Sequence, residues 1–494
     1  MITTSDAVIA IKRAIFCFTT SLFLFPWLSV AQPFGDAVQS PDDLMDQFIA
    51  MFNSAQKSAV AEFVDNHVAK ATLARFGDEG RSRYVGYLSG EKRFHHAFEQ
   101  EITATLAPSN NKGIIRRQVR SHNTELSYTI TLYTTNDAPY KATSIYVQPS
   151  NENSAPEPKI SKGQFQKKLS DYVDRLAQRG VFSGTVLVAG DDGVIFKGAA
   201  GLASIRYRTK NNIDTKFNIG SMNKMFTAIS IMQLVERGKL SLDDKLTEYV
   251  DRNLFSEGEF DQITIEQLLT HTSGLGRADY PELNQNSLRE LNDHRPYIKH
   301  LPLTHTPGSR FQYSNDGMAL LGMVIEQASG MSYYNYVRHN IYDVADMKNS
   351  DSYDVDLPIS NIAMGYFYST EFESIQSNLF LHPIKGGPAG GGFSTAPDLY
   401  NFAKALTSYK LLSKKYTEAS YTAKPQINSP RYGYGFSVGG TDDNRIIGHS
   451  GSYIGASAYF RVFLDKGYTV VVLANQSFAS EPVSAKIGQL IQQL

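Results

Sequence analysis

Hydrophobic positions repeat with two different periods in the first third of the chain. After Ser40 and Pro41, apolar residues recur every four positions, at Leu44, Phe48 and Phe52. This spacing predicts a helix with one buried face, begun by a serine cap and a proline in its first turn. Helical periodicity continues to about residue 88.

Apolar and polar residues then alternate, over residues 101–106 and again over residues 126–133. A period of two predicts strands, and the turn-forming residues between them predict an antiparallel sheet. Helices followed by a small sheet predict an α+β domain over residues 38–149, which resembles an NTF2-like or cystatin-like module. Residues 149–159 (PSNENSAPEPK) contain three prolines and no apolar periodicity, so a linker is predicted at residues 150–162.

The remaining residues, 163–494, have the pattern of one larger domain. An amphipathic helix is predicted from Phe165 onward, and a β-hairpin follows over residues 184–198. The middle of this stretch is mostly helical, and strands return over residues 456–473 before a last helix. We therefore expect an α/β domain whose antiparallel sheet is assembled from both ends of the stretch, flanked by helices and interrupted by a helical insertion.

The first 31 residues have the features of a secretory signal peptide. Lys12 and Arg13 precede an apolar stretch over residues 14–28, and small residues follow at 29–31. A membrane anchor is the alternative, but the stretch is shorter than the roughly 20 apolar residues of a span and is interrupted by polar residues. Cleavage would remove Cys17, the only cysteine, and would exclude thiol catalysis and disulfides. We expect an exported protein, periplasmic or secreted, with no stable membrane span after cleavage.

Acidic and basic residues nearly balance, with 48 Lys and Arg against 49 Asp and Glu. This balance argues against a dedicated nucleic-acid binder, which needs a basic surplus. The sequence has no H-E-x-x-H pair, no Walker A loop and no G-x-G-x-x-G after a strand. No metal and no cofactor are therefore predicted.

Three short motifs carry candidate chemistry, and the first is Ser221-Met222-Asn223-Lys224, which opens a long apolar helix. A serine and a lysine three residues apart lie on one helix face. A lysine whose pKa is lowered by burial can take the serine proton and activate this weak nucleophile. The common alternative is a serine cap and a solvated lysine, but the apolar helix predicts a buried one.

The other two motifs lie far along the chain from the first. Tyr313-Ser314-Asn315 offers a hydroxyl that can relay a proton and an amide that can orient a lysine. The alternative is a loop tyrosine and a helix-capping asparagine. Residues 448–452 (GHSGS) offer a glycine-rich edge and a backbone N–H that can pair with that of Ser221 to hold an oxyanion. The alternative there is a hairpin turn.

In their order and spacing, the three motifs resemble those of the class C β-lactamase-like serine hydrolases, over residues 163–494. That group includes penicillin-binding D-alanyl peptidases, D-amino-acid peptidases and related esterases. The resemblance implies a β-lactamase/transpeptidase-like fold, no cofactor, and a small-molecule ester, amide or peptide substrate. It also implies a role for each site residue: Ser221 as acylated nucleophile, Lys224 as base, Tyr313 as proton-transfer partner, Asn315 as orienting residue, His449, Ser450 and Gly451 as the third motif, and the backbone N–H groups of Ser221 and Ser452 as the oxyanion hole. Whether Lys224 or Tyr313 takes the serine proton stays open.

One position departs from the pattern of the β-lactamases that this chain resembles. They usually carry lysine at the start of the third motif, where it attracts a substrate carboxylate, whereas this chain has His449, largely neutral at pH 7. The H-x-G form resembles the peptidase and esterase branches. We therefore expect an esterase or D-amino-acid-specific peptidase that forms an acyl-enzyme on Ser221, with a β-lactamase or slow-turnover penicillin-binding protein as the alternative. A non-catalytic scaffold is the alternative of another class, against which the intact catalytic set argues.

A different catalytic triad is also conceivable from the sequence. Residues 392–396 (GFSTA) are close to the G-x-S-x-G pattern, which would combine Ser394 with Asp442 and His449. Thr395 begins a capping-box pattern, however, and a helix start explains the same residues without catalysis.

Two further segments are interpreted without a catalytic role. His271 follows a short helix that Thr264 begins with capping-box spacing, and it is interpreted as structural. Residues 385–392 (KGGPAGGG) predict a mobile loop, with lining of the site as an alternative.

Overall fold

The computed structural model describes residues 38–74, 79–100, 113–150, 158–255, 259–278, 288–299, 301–381 and 383–494. The predicted signal peptide, the predicted strand over residues 101–106 and most of the predicted linker lie outside these ranges. Within these ranges, no helix has both the length and the apolar character needed to cross a membrane.

In the described residues, the first part of the chain folds as four helices followed by a four-stranded antiparallel sheet, as the change of hydrophobic period predicted. The elements are α1 (Pro41–Asn53), α2 (Ala59–His67), α3 (Lys70–Ala74), α4 (Gly80–His95), β1 (Phe98–Gln100), β2 (Ile114–Ser121), β3 (Ser127–Thr134) and β4 (Ala142–Pro149). Ser40 caps α1, because its hydroxyl accepts from the Asp43 N–H while the Asp43 carboxylate accepts from the Ser40 N–H. Strand β3 buries Tyr128, Ile130 and Leu132 on one face.

The second part is built on an antiparallel sheet with helices on both faces. Its elements are α5 (Lys162–Gln178), β5 (Gly184–Gly190), β6 (Gly193–Ala200), β7 (Leu202–Ser204), β8 (Thr209–Lys210), β9 (Phe217–Asn218), α6 (Asn223–Glu236), α7 (Ile265–Leu269), α8 (Arg295–Ile298), α9 (Asn315–Ser329), α10 (Tyr333–Val337), β10 (Tyr366–Ser369), β11 (Ser374–Ser377), β12 (Phe393–Ser394), α11 (Ala396–Thr407), α12 (Lys414–Ser420), β13 (Ser437–Thr441), β14 (Asn444–Tyr453), β15 (Ala456–Phe463), β16 (Tyr468–Ala474) and α13 (Ser480–Gln493). In the described residues, six of these strands form the main sheet, in the order β13-β14-β15-β16-β5-β6. The prediction of a sheet drawn from both ends of this part is confirmed.

The central strands bury side chains on both faces of the sheet. On β5, Val186 and Val188 join the apolar cluster that contains α5 and α13, while Leu187 and Ala189 join the cluster that contains α6 and α11. A strand covered on both faces has a continuous apolar run instead of alternation. The α6 face is the one that carries the candidate site.

The first part of the chain packs against α5 and α13, and their apolar side chains form one continuous buried cluster. The Tyr172 hydroxyl on α5 donates to the backbone oxygen of Thr124 at 2.7 Å. Arg175 on α5 donates to both carboxylate oxygens of Glu125, at 3.0 and 2.9 Å. The first part therefore lies on the side of the sheet opposite the candidate site, outside α5 and α13.

A partly buried carboxyl group lies at this junction, in the first turn of α13. Glu481 accepts a hydrogen bond from the Tyr459 hydroxyl at 3.2 Å. Burial, together with the nearby Glu91 carboxylate, raises the pKa of Glu481 to about 7, while Arg461 acts in the opposite direction. Near neutral pH this group therefore keeps its proton far more often than an exposed glutamate does.

We predict that Glu481→Gln stabilises the protein at pH 8 and has little effect at pH 4. The folded-state pKa lies above that of an unfolded glutamate, so ionisation removes stability as pH rises from about 4 through 7. The expected gain at pH 8 is about 3 kcal/mol in the free energy of unfolding, measured by urea titration. Glu371→Gln, at an exposed position, is the control. An equal effect of Glu481→Gln at both pH values would contradict the prediction.

Candidate active site

Ser221 lies in a short 3₁₀ turn, Gly220–Met222, directly before α6. Strand β14 approaches this turn so closely that glycine is required on both sides. Gly220 has a φ of 50°, and a Cβ there would lie 2.7 Å from the backbone nitrogen of Ser452. A Cβ on Gly451 would lie 1.9 Å from the backbone oxygen of residue 219. Because these two glycines have no side chain, the third motif can pack directly against the backbone that carries Ser221.

Lys224 is completely buried on α6, one turn after Ser221. Its Nζ lies 3.0 Å from Ser221 Oγ and 2.8 Å from Asn315 Oδ1, and it donates to the backbone oxygen of Ala389. All three contacts are neutral oxygens, so burial lowers the pKa of Lys224 to about 7. A neutral amine can donate to the two carbonyl oxygens and accept the Ser221 proton with its lone pair. The predicted buried lysine is present in the structure.

Tyr313 lies on the other side of Ser221. Both residues line the same cleft, and the Tyr313 ring centroid lies 4.8 Å from Lys224 Nζ. Burial raises the pKa of the Tyr313 hydroxyl to about 12, although the nearby Ser221 side chain acts in the opposite direction. Tyr313 is therefore a neutral phenol near pH 7, beside the same serine as the lysine amine.

The second motif also begins α9. Ser314 is the cap of this helix, because its hydroxyl accepts from the Gly317 N–H at 3.0 Å. Asn315 is the first residue of the helix, and its side-chain oxygen accepts from Lys224. The alternative of Asn315 as a helix cap is wrong, because Ser314 makes the capping bond.

The glycine-rich residues 385–392, predicted as a mobile loop, are held on the first turn of α6. The Asn223 side chain donates to one backbone oxygen of this loop and accepts from one backbone N–H, each at 3.1 Å. This attachment places the Ala389 carbonyl against Lys224. The alternative that the loop lines the site is therefore the one that the contacts support.

His449, the first residue of the third motif, is buried and has both ring nitrogens engaged. Nδ1 contacts the backbone oxygen of Ser450, which can only accept, so Nδ1 carries the proton. Nε2 then accepts from the Tyr432 hydroxyl at 2.9 Å. Burial, and next the nearby Lys224, lower the pKa of His449 to about 4. The imidazole is neutral, and neither nitrogen is left to attract a carboxylate.

These groups open into a cleft of about 600 Å³. Of the residues predicted from sequence, its walls include Ser221, Tyr313, His449, Ser450 and Ser452. Lys224 contacts the serine from beneath, Asn315 contacts Lys224, and Gly451 allows the approach of β14. Sequence reasoning missed the walls formed by Phe311, Arg431, Tyr432 and Ser437. The first three lie in irregular segments, which carry no periodic signal, and Ser437 begins β13, so only the fold brings these residues to the site.

The alternative triad of Ser394, Asp442 and His449 is not formed. Ser394 is completely buried and lies 2.7 Å from the Ser350 hydroxyl. Asp442 is exposed in the turn between β13 and β14, and both His449 nitrogens are engaged elsewhere. Thr395 caps α11, as the sequence predicted. Over the part of the chain that the structure describes, no group of three or more His, Cys, Asp or Glu residues could hold a metal ion.

Comparison with known proteins identifies relatives over the second part of the chain. A family model described as Beta-lactamase matches residues 165–493. Penicillin-binding protein 4* of Bacillus subtilis (strain 168) is 29% identical over 342 residues, which cover 65% of this chain and 74% of that protein.

Solved structures agree with this assignment of the fold. The crystal structure of a penicillin-binding protein from Bacillus halodurans is 31% identical, with a TM-score of 0.57, and the match covers 67% of this chain and 100% of that one. A crystal structure of SurE with D-Leu is 25% identical, with a TM-score of 0.55, over 67% of this chain and 76% of that one. The predicted β-lactamase/transpeptidase-like fold is confirmed.

We predict that Asn315→Asp shifts the pH at which Ser221 becomes reactive. A carboxylate at the 2.8 Å position would favour the charged lysine and raise the pKa of Lys224 by about 1–3 units. The rate at which a fluorophosphonate modifies Ser221 should rise with pH around 7 in the natural protein and at a higher pH in the variant. Asn292→Asp, at an exposed position, is the matched control. An unchanged midpoint in Asn315→Asp would show that the amide does not set the lysine pKa.

Proposed function

This chain belongs to the Beta-lactamase family of serine hydrolases, and from that premise we propose that it hydrolyses esters or D-amino-acid amides through an acyl-enzyme on Ser221. The observation that carries the proposal is the 3.0 Å contact between the buried Lys224 amine and Ser221 Oγ. A serine hydroxyl needs an adjacent base, and this base has a pKa of about 7.

The protonation states of the two neighbours support Lys224 as the base. Near pH 8 the Lys224 amine is largely neutral, whereas Tyr313 keeps its proton. Ser221 Oγ attacks the substrate carbonyl carbon, and its proton passes to Lys224 Nζ. The lysine ammonium then returns a proton, through the Tyr313 hydroxyl, to the departing alkoxide or amine. Water attacks the acyl-enzyme by the same route in reverse, releasing the acid and restoring Ser221.

The oxyanion of each tetrahedral intermediate needs donors on the far side of the carbonyl. The backbone N–H groups of Ser221 and Ser452 are the proposed pair. Their closeness is supported by Gly220, where a Cβ would lie 2.7 Å from the Ser452 nitrogen. Backbone donors fixed in position stabilise developing charge without reorganisation.

The third motif favours substrates that lack a carboxylate beside the scissile bond. His449 is neutral, and its nitrogens are engaged by Tyr432 and the Ser450 carbonyl. It therefore supplies no positive charge of the kind that attracts a β-lactam carboxylate. The likeness to SurE, whose structure contains D-Leu, supports a D-amino-acid residue on the substrate.

A slow-turnover penicillin-binding protein or β-lactamase is the second candidate. The observation that favours it is Arg431, an exposed guanidinium in the cleft wall, which is able to pair with a carboxylate. The relatives named as penicillin-binding proteins also favour it. We further propose export, with cleavage before Gln32, so the mature chain is the form to assay.

We predict that Ser221→Ala abolishes hydrolysis of whichever substrate the enzyme accepts. The mature protein is assayed with a p-nitrophenyl ester, a D-alanyl anilide and a chromogenic cephalosporin, with intact-mass detection of the acyl-enzyme. Loss of the nucleophile should lower kcat at least about 10³-fold. Ser394→Ala, which removes the other candidate nucleophile, should leave kcat within about threefold because Ser394 lies outside the cleft.

The pattern of products separates the candidates. Steady turnover of ester or anilide with little on cephalosporin supports the proposal. A stoichiometric burst and a persistent cephalosporin adduct on Ser221 would favour the penicillin-binding alternative. Neither turnover nor adduct with any substrate would overturn both and favour the non-catalytic scaffold.

A further inference from the structure

His271 has three contacts that converge on Tyr313, although it lies outside every motif assigned above. It follows α7 directly, and 1% of its surface is exposed. Its backbone oxygen accepts from the Gln312 N–H at 2.7 Å. Its Nδ1 accepts from the Ser314 N–H at 3.3 Å. The residues immediately before and after Tyr313 are thus both bonded to the same histidine.

The imidazole ring also forms the packed face of the tyrosine. The ring centroids of His271 and Tyr313 are 4.4 Å apart, against 6.4 Å between Tyr313 and His449. Tyr313 is 43% exposed, and of the rings near it His271 lies closest. Packing on one face and two backbone bonds therefore determine where its hydroxyl lies.

The hydrogen bond to Nδ1 defines the tautomer of His271. Because a backbone N–H donates to Nδ1, that nitrogen must lack a proton, and the neutral ring carries its proton on Nε2. Burial, and next the charge of Lys224, hold the pKa of His271 well below its usual value. The residue therefore remains an acceptor toward Ser314 throughout the range in which Lys224 titrates.

The backbone of His271 is itself unusual, with a φ of 57° in the left-handed region. Glycine and asparagine adopt this conformation most readily, whereas histidine adopts it at some cost. A side chain kept in a strained position points to a role that the alternatives do not fill. Glycine would relieve the backbone but would lose both the acceptor and the ring.

We propose that His271 is the positioning residue for Tyr313: its carbonyl and Nδ1 fix the backbone on both sides of the tyrosine, and its ring sets the tyrosine hydroxyl against Ser221. The inference rests on the proposed function, since it concerns the proton transfer through Tyr313. His271 does not touch the reacting atoms and is not a catalytic residue. Its loss should act on kcat more than on KM, because a misplacement of about 1 Å at a reacting group can cost about 10²-fold in rate.

The test compares His271→Gly with His271→Asn, in the natural chain and in Tyr313→Phe. Both substitutions tolerate the left-handed backbone, but only asparagine offers an acceptor close to the place of Nδ1. We expect His271→Gly to lower kcat about 10–100-fold with KM changed less than about threefold. His271→Asn should recover at least about fivefold of that loss in kcat. In the Tyr313→Phe background, His271→Gly should cost less than about twofold.

The outcomes distinguish this inference from the proposed function. Ser221-dependent turnover with an unchanged kcat in His271→Gly, or with equal losses in both backgrounds, would overturn the inference alone. Turnover that survives Ser221→Ala would overturn the proposed function and this inference with it. If the glycine variant does not fold, His271→Asn is measured in the natural chain and in Tyr313→Phe instead. A loss of kcat in the natural chain that is absent in Tyr313→Phe supports the inference, and an equal loss in both overturns it. Arg208→Gly, at an exposed position with a φ of 53°, controls for the backbone change.

Discussion

The site depends on keeping one lysine amine in the interior without a carboxylate beside it. Lys224 contacts only neutral oxygens, from the nucleophile, from α9 and from the glycine-rich loop. A carboxylate in any of these places would fix the charge on the lysine and remove the base. The oxygens of Asn315 and Ala389 accept hydrogen bonds from the amine and orient it. The lone pair of the amine is then directed at Ser221.

The two histidines nearest to this lysine are also uncharged. His449 and His271 are both buried near Lys224, and burial and the lysine charge lower the pKa of each. Two neutral imidazoles add hydrogen bonds without adding a positive field that would lower the lysine pKa further. The same neutrality deprives the third motif of an anchor for carboxylates. The lowered pKa of the base and the uncharged third motif thus follow from one arrangement of buried groups.

The period of the hydrophobic pattern was sufficient to predict most of the fold. Alternation predicted β3, the hairpin pattern predicted β5 and β6, and the capping residues of α1 and α11 were correctly placed. The contacts of the glycine-rich loop were not predictable, because glycines carry no side-chain pattern and Ala389 acts through its backbone oxygen. The role of His271 was hidden for a similar reason: its partners are neighbours in space, 41 and 43 residues further along the chain.

Three exceptions to local conformational preference lie beside Ser221. Gly220 and His271 both have left-handed backbones, and Gly451 contacts the turn before the serine with no room for a Cβ. Gly220 and Gly451 allow β14 to approach the nucleophile. His271 holds the segment that carries Tyr313 beside the same serine. At these positions the backbone conformation that proton transfer requires differs from the one that the residue prefers. The buried apolar clusters on both faces of the sheet supply the stability that offsets this strain. The first part of the chain adds apolar side chains to one of these clusters and contributes none of the described residues that line the cleft.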